Sequence, residues 1–560
     1  MIAAIVRAQL LSMRSFRLGS SRRGALVSIA TGLIWYGFWT LIAVAAFDYT
    51  SGGNPDEALR LNLPIGFLLV MAYWQLAPLV SASLGASLRL WFDVERRGPH
   101  DAVVHALAVD GFSAFVLTLL SGALVVGALS SEVFLAREGM AGAEYHVLAM
   151  LSVSGAMLMA EANDLIVIFL GLEIMSISLY VLAALNSRRE ESAEAAMKYF
   201  LLGAFSSAIF LYGIALTYGA TGSTNLARVA DFLASNVLVH NGVLLGGLAL
   251  LVVGFGFKVA AVPFHAWTPD VYQGSPSPVT GFMAAVAKAG GFAGLLRVAF
   301  SAFPTLSSDW RPLAWALAAL SLVVGAVLAL VQRDIKRMLA YSSINHAGFV
   351  LVGLIGLKEA TGNAVSGVSG SLYYLFAYAF MVLGSFAVVA VVARSGDAAT
   401  DLEDYRGLMR RSPWLAGALT LFLLAQAGVP FTTGFLAKFY VVAAATEAGG
   451  PGSYVLASLA MVSAVVAAFF YLRVVFYMLG PPASVAAPAG ASAGSGPSGA
   501  LLLEAQAGGR PYRHSRAPRT QASVAVSVGL ALATCAAITV VFGVWPSPLF
   551  DFAHRATLLF

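Results

Sequence analysis

Five ionisable side chains of this 560-residue chain stand in stretches that are otherwise apolar. Glu173 lies in "FLGLEIMSISLY", Lys258 in "GFGFKVAAVPFHAW", Lys288 in "MAAVAKAGGF", His346 in "YSSINHAGF" and Lys438 in "GFLAKFYV". Each stretch belongs to a run of about 20 predominantly apolar residues or more, the length that crosses a bilayer. A charge at the bilayer centre costs about 2.5–3.5 kcal/mol on insertion scales, so each of these groups needs a compensating role. The bland alternative for Glu173 and the three lysines is a static buried ion pair, but three lysines do not pair off with one glutamate, and such a pair is a weak source of stability. Burial favours the neutral amine, which suits a lysine in such a place to bind and release a proton. His346 has a second reading as a neutral, hydrogen-bonded packing residue. Lys198, in "AAMKYFLLGAF", opens a further run and is close enough to a helix start to reach the interface with its ammonium. Arg297 and Arg473 lie near run ends and are expected to do the same.

Two prolines accompany these charges. Pro263 follows Lys258 by five residues, and Pro430 precedes Lys438 by eight. A proline removes a backbone donor and breaks its helix. At membrane depth such a break is tolerated only where protein or a water-filled cavity satisfies the freed groups. The tetrapeptides "AVPF" (261–264) and "GVPF" (428–431) are nearly the same and stand five predicted helices apart. Interrupted helices at corresponding places in two halves point to an internal repeat of the transporter kind. An offset of five helices inverts the second unit relative to the first.

The elements that must hold these residues follow from composition. The chain is 59% hydrophobic and 11% charged, against about 25% charged for a soluble protein. It cannot cover a soluble surface, so the lipid bilayer is its solvent and the net charge of +5 belongs to basic loops, not to a nucleic-acid surface. The single cysteine, Cys535, sits in an apolar run and excludes a disulfide framework, a cysteine-held zinc and a cysteine-held iron–sulfur cluster within this chain. Fourteen apolar runs are readable, near 24–47, 63–87, 111–134, 144–162, 163–185, 194–220, 243–267, 277–303, 311–332, 335–357, 371–393, 414–445, 453–479 and 522–545. The expected fold is an all-α integral membrane protein with about fourteen transmembrane helices and two inverted five-helix repeats, helices 4–8 and 9–13, broken at helices 7 and 12. The units are residues 1–143 (helices 1–3), 144–303 (first repeat), 311–479 (second repeat), 480–521 (a flexible loop rich in Pro, Gly, Ser and Ala) and 522–560 (last helix and tail). The first run follows a basic start but is longer than a signal-peptide core, so it reads as a retained helix. The basic loops "SRRE", "QRDIKR" and "RGLMRRS" all follow odd-numbered helices and mark one face as cytoplasmic, which puts both termini on the other side. The basic N-terminus and Arg96–Arg97 argue the opposite, and the internal loops outnumber them.

The same stretches carry a resemblance. "FLGLEIMSISLYVLAAL", "EAAMKYFLLGAFSSAIFLYGIALTYGATGSTNL", "GFGFKVAAVPFHAWTPDVYQGSPSPVTGFMAAVAKAG", "IKRMLAYSSINHAGFVLVGL", "DLEDYRGL" and "GVPFTTGFLAKFYV" resemble, in order and over roughly residues 163–440, the antiporter-like proton-pumping subunits of respiratory NADH–quinone oxidoreductase (complex I). "PFHAWTPDVYQGSPSPV" is similar to the subunit N branch in particular. The resemblance implies a proton-translocating subunit of a bacterial inner membrane. Glu173 would pair with Lys258 of broken helix 7, Lys288 would be the central lysine, His346 a relay, Lys438 the terminal donor on broken helix 12, and Lys198 a lysine near the same axis. It implies no cofactor or metal in this chain. NADH, FMN, iron–sulfur clusters and quinone belong to partner subunits, and the partners are the other membrane subunits of the complex, the neighbouring antiporter-like subunit among them. Subunits of multi-subunit cation/proton antiporters and of membrane-bound hydrogenases share the module and stand as alternatives. Residues 1–100 and the 481–520 loop match poorly.

Overall fold

The computed structural model describes residues 76–140, 142–236, 241–356, 367–481 and 525–556. The first expected run, the start of the second and nearly all of the 481–520 loop lie outside these residues. Helix α1 (Leu76–Arg97) carries the described end of the second run ten residues past its expected limit. A two-stranded antiparallel hairpin, β1 (His100–Ala102) and β2 (Leu107–Val109), then precedes α2 (Gly111–Arg137). Asp110 starts α2 with a capping box: its carboxylate accepts from Ser113 N–H at 2.8 Å, and Ser113 Oγ accepts from the Asp110 N–H at 3.0 Å.

Two sets of five helices follow. The first is α3 (Ala143–Glu161), α4 (Leu165–Ala183), α5 (Glu190–Thr221), the interrupted pair α7 (Gly242–Val259) and α8 (Thr268–Gly274), and α9 (Ser277–Arg297), which continues as a π-helical turn to Ala302. A short amphipathic helix, α6 (Leu226–Ser235), lies before α7. The second set is α10 (Ser307–Leu330), α11 (Ile335–Ile355), α12 (Gly367–Val392), then, after the short α13 (Leu408–Arg411), the interrupted pair α14 (Pro413–Ala427) and α15 (Thr433–Ala448), and α16 (Pro451–Leu479). Helices α17 (Val526–Val544) and α18 (Ser547–Arg555) close the described chain. Eleven helices among the described residues are long and apolar enough to cross a membrane, and the expected twelfth run is the one divided into α14 and α15.

The same knot of hydrogen bonds recurs in both sets. At the start of α4, Leu165 N–H donates to Thr224 O, Leu226 N–H donates to Asn163 O, and Thr224 Oγ1 donates to Asp164 at 2.7 Å. At the start of α11, Ile335 N–H donates to Thr400 O, Leu402 N–H donates to Arg333 O, and Thr400 Oγ1 donates to Asp334 at 2.6 Å. Asp164 and Asp334 are also the N-caps of their helices. In each set the knot ties the start of the second helix to the chain leaving the third.

Burial ranks the helices. Of the apolar windows of α9 and α11, 94% is buried inside the protein, against 39% for α5, α10 and α16, so Lys288 and His346 ride on the two innermost helices. Close approach depends on small residues, as membrane helix packing does. A side chain on Gly155 of α3 would strike the backbone of Gly171 and Met175 on α4.

Arg297 departs from its expected place. It does not reach the interface but is fully buried, donating to both carboxylate oxygens of Asp110 at 2.8 and 2.9 Å and to Ala160 O at 2.7 Å. Proximity to a helix end was a poor guide, because the partner comes from a capping residue 187 positions earlier. Lys336, in the basic stretch "QRDIKR", is likewise buried, in the first turn of α11. Its ammonium binds Asp397 at 2.7 Å and Ser275 O at 2.6 Å, and Ser277 Oγ donates to the same carboxylate. Burial pushes the Asp397 carboxyl up, but Lys336, Ser277 and Arg189 outweigh it and hold it below the ordinary carboxylate range. A carboxyl so depressed stabilises the fold above its unfolded value of about 3.9, and this contribution is lost as pH falls further through the folded value. Asp397→Asn should lower the thermal transition at pH 7, and the gap to the parent should narrow as the pH is taken below about 4. A scan of thermal unfolding in detergent against pH checks this.

Candidate functional site

The interruption at Pro263 creates the centre of the site. Helix α7 ends at Val259, and Ala260 takes a left-handed conformation with φ 60°. Pro263 has no N–H for the carbonyl four residues earlier, that of Val259. Lys288 of α9 donates to that oxygen at 3.1 Å and to Ser343 O of α11 at 2.6 Å. A donor freed by the break is met by protein as well: Val262 N–H donates to Ser321 Oγ of α10 at 2.9 Å. Trp267 Nε1 donates to Phe257 O at 3.1 Å, an oxygen that also takes the Ala260 N–H.

The second break repeats the device. Helix α14 ends at Ala427, Gly428 is left-handed with φ 93°, and Lys438 of α15 donates to Ala427 O at 2.9 Å. Each of these lysines therefore rests on a carbonyl released by an interrupted helix, where the C-terminal oxygens carry partial negative charge. Lys258, Lys288, His346 and Lys438 are all buried.

A line of aromatic side chains joins the last three of these. Lys288 Nζ lies 5.8 Å from the Tyr378 ring, and that ring stands 4.8 Å from the imidazole of His346. His346 uses both ring nitrogens, Nδ1 with Tyr374 Oη at 2.6 Å and Nε2 with Tyr471 Oη at 3.1 Å. The Tyr374 ring stacks on Phe349, whose face lies 4.9 Å from Lys438 Nζ. Tyr471 Oη donates onward to Gln426 Oε1 at 3.4 Å, and Gln426 Nε2 donates to Ser385 Oγ at 2.8 Å. An imidazole with one donor and one acceptor nitrogen can pass a proton from one hydroxyl to another.

Two of the expected residues stand differently. Glu173 is half-buried on α4 and makes no ion pair with Lys258. The Lys258 ammonium donates instead to Ser176 Oγ at 2.6 Å, with the rings of Tyr180 and Tyr199 at 5.8 and 5.5 Å. Lys198 is apart from the axis, at the surface end of α5. Its side chain is 42% exposed and binds Glu194 at 2.7 Å and Asp270 at 2.8 Å. Asp270, on α8, also takes Arg337 of α11 at 2.7 Å. Burial raises the Asp270 carboxyl, but Lys198 and Arg337 together bring it below the ordinary range.

Sequence reasoning missed Ser176, Tyr374, Tyr378, Tyr471 and Gln426. Hydroxyls and amides are cheap to bury when paired, so composition does not flag them as it flags a charge. The "SLYYLFAY" run (371–378), dense in tyrosine within a span, was the available signal. Among the described residues no cluster of three or more His, Cys, Asp or Glu could hold a metal ion.

Comparison with known proteins places this geometry in context. Residues 162–467 match the family described as NADH:quinone oxidoreductase/Mrp antiporter, TM. A curated relative, NADH-quinone oxidoreductase subunit N of Trichlorobacter lovleyi, is 46% identical over 380 residues, covering 67% of this chain and 76% of its own. A chain of respiratory complex I from Thermus thermophilus is 32% identical with a TM-score of 0.65, covering 92% of this chain and 98% of that one. A chain of the Mrp complex from a Dietzia species has a TM-score of 0.70 at 20% identity over 94% of this chain and 96% of its own, a likeness of fold.

Proposed function

Because this chain belongs to the NADH:quinone oxidoreductase/Mrp antiporter transmembrane family, in its subunit N branch, we propose that it is a proton-translocating membrane subunit of an NADH–quinone oxidoreductase. One observation carries the mechanism. Three lysines are buried with no acid in contact among the described residues, and two of them, Lys288 and Lys438, flank the aromatic group around His346.

Lys258 is the switchable proton site and Glu173 the carboxylate that biases it from α4. Lys288 accepts the proton on the carbonyls of Val259 and Ser343. His346 relays it between Tyr471 and Tyr374, and Lys438 releases it at the second interruption. Lys198, linked to Asp270 and through it to Arg337, braces the half-helix α8 at the surface end of this route. A charge moved against 100 mV costs about 2.3 kcal/mol. That lies within what the gain or loss of one buried counter-charge supplies.

The repeated knot at Asp164 and Asp334, and the lysine at each interrupted helix, support reading residues 144–303 and 311–479 as inverted repeats. Both termini are assigned to the non-cytoplasmic side of a bacterial inner membrane. NADH, FMN, iron–sulfur clusters and quinone are handled by partner subunits, which include a neighbouring antiporter-like subunit and the small subunits towards the quinone module.

Purification in mild detergent through a tag on this chain tests the proposal. Flavin and iron–sulfur subunits should accompany it with NADH–quinone reductase activity, and the reconstituted sample should take up protons on adding NADH. A complex of membrane subunits alone, exchanging sodium for protons, would assign the chain to the antiporter class instead.

A further inference from the structure

Lys258 has two acceptors on one helix and uses the less obvious one. Ser176 stands one turn after Glu173 on α4. Its hydroxyl hydrogen points to Leu172 O, so its oxygen faces Lys258 as an acceptor. Glu173 remains within electrostatic reach of Lys258, and its Oε1 is buried with no hydrogen-bond partner among the described residues. A buried carboxylate oxygen left unmatched is unfavourable, which makes Glu173 a waiting acceptor. Beside the ammonium is a cavity of about 10 Å³, bordered by Ser176, Tyr180, Ser206, Ser207, Phe257 and Lys258. It is close to the smallest volume that admits one water.

We propose that Ser176 is a positioning residue that gives the Lys258 side chain a second docking point, alternating with the Glu173 carboxylate, with the cavity at Ser206 and Ser207 as the space for the exchange. The inference rests on the proton-translocation reading above. A carboxylate holds the ammonium and resists loss of its proton, because deprotonation leaves the acid's charge unmatched. A hydroxyl oxygen accepts from an ammonium and from a neutral amine alike. Docked on Ser176, Lys258 can give up one proton towards Lys288, keep the electron pair on nitrogen and still donate a remaining N–H to the same oxygen. Glu173 thus sets the loaded position and Ser176 the releasing one. Gly203 of α5 belongs to the device, since any side chain there would strike the Tyr180 hydroxyl at the edge of the cavity.

The test uses the assembled complex in proteoliposomes, with proton uptake per NADH oxidised as the readout. Loss of one hydrogen bond to a charged group should lower uptake about tenfold in Ser176→Ala. Ser176→Thr, which returns the hydroxyl, should recover most of it. Uptake at the parent level in Ser176→Ala, or Ser176→Thr no better than Ser176→Ala, overturns the docking point. If Ser176→Ala fails to assemble, Ser206→Val fills the cavity from α5 and should produce the same loss, and parent-level uptake there overturns the proposal equally. Lys258→Ala, measured alongside, separates the two ideas. If it pumps normally, the translocation reading falls. If it does not pump while Ser176→Ala does, only the docking point falls.

Discussion

Lys258→Arg should abolish proton uptake by the assembled complex almost as fully as Lys258→Ala. Both variants should still insert and accumulate. Alanine removes the titratable group and, with it, a buried charge whose desolvation the fold had to offset, so membrane insertion does not suffer. Arginine is the sharper test. It keeps the positive charge beside Glu173, Ser176 and the tyrosine rings but does not deprotonate in a protein. A role in static charge balance would survive the change, whereas a role in passing protons would not. Uptake measured with a pH-sensitive dye in NADH-energised proteoliposomes should fall by more than about tenfold in both variants. Uptake in Lys258→Arg equal to the parent's would remove Lys258 from the proton route.

The second large effect lies outside the route. Arg297 and Asp110 are 1% and 0% exposed and meet through two parallel hydrogen bonds. Removing one partner of such a pair strands a charge in the interior, at about 3–5 kcal/mol. Arg297→Met should therefore lower the thermal transition strongly and reduce the amount of assembled protein. Asp110→Asn keeps an acceptor for the Ser113 N–H at the start of α2 but strands the arginine. Combining the two substitutions removes both charges, so the double variant should be more stable than either single one. Thermal unfolding of the four forms in detergent gives the coupling directly, and simple additivity would show that the pair does not act as a unit.

The parts legible in the sequence are those whose physics is local. An apolar run of sufficient length crosses the bilayer whatever surrounds it, so "LIVIFLGLEIMSISLYVLA" reads as a span and is α4. Pro263 and Pro430 each remove a backbone donor, and α7 and α14 both end just before them. Lys258, Lys288, His346 and Lys438 stand out because a buried charge is rare, and all four are buried. Position along the chain is a poor guide to partners. Arg297 is expected at the interface from its nearness to a run end and Lys336 stands in a basic stretch, but their surroundings depend on Asp110 and Asp397, far away in the chain.

The sequence by itself therefore determined the solvent, the spans among the described residues from α2 onward, the two interruptions and the four buried titratable groups, because hydropathy and the missing proline donor act within a single helix. Only the tertiary structure decided what each group touches. It set Lys288 on the Val259 carbonyl, Lys438 on that of Ala427, His346 between two tyrosines, and Lys258 on Ser176 instead of Glu173. Those partners come from helices up to 125 residues apart. Hydrogen bonds are short and directional, so which of several plausible acceptors a lysine takes follows from how the helices pack and not from the order of residues along them.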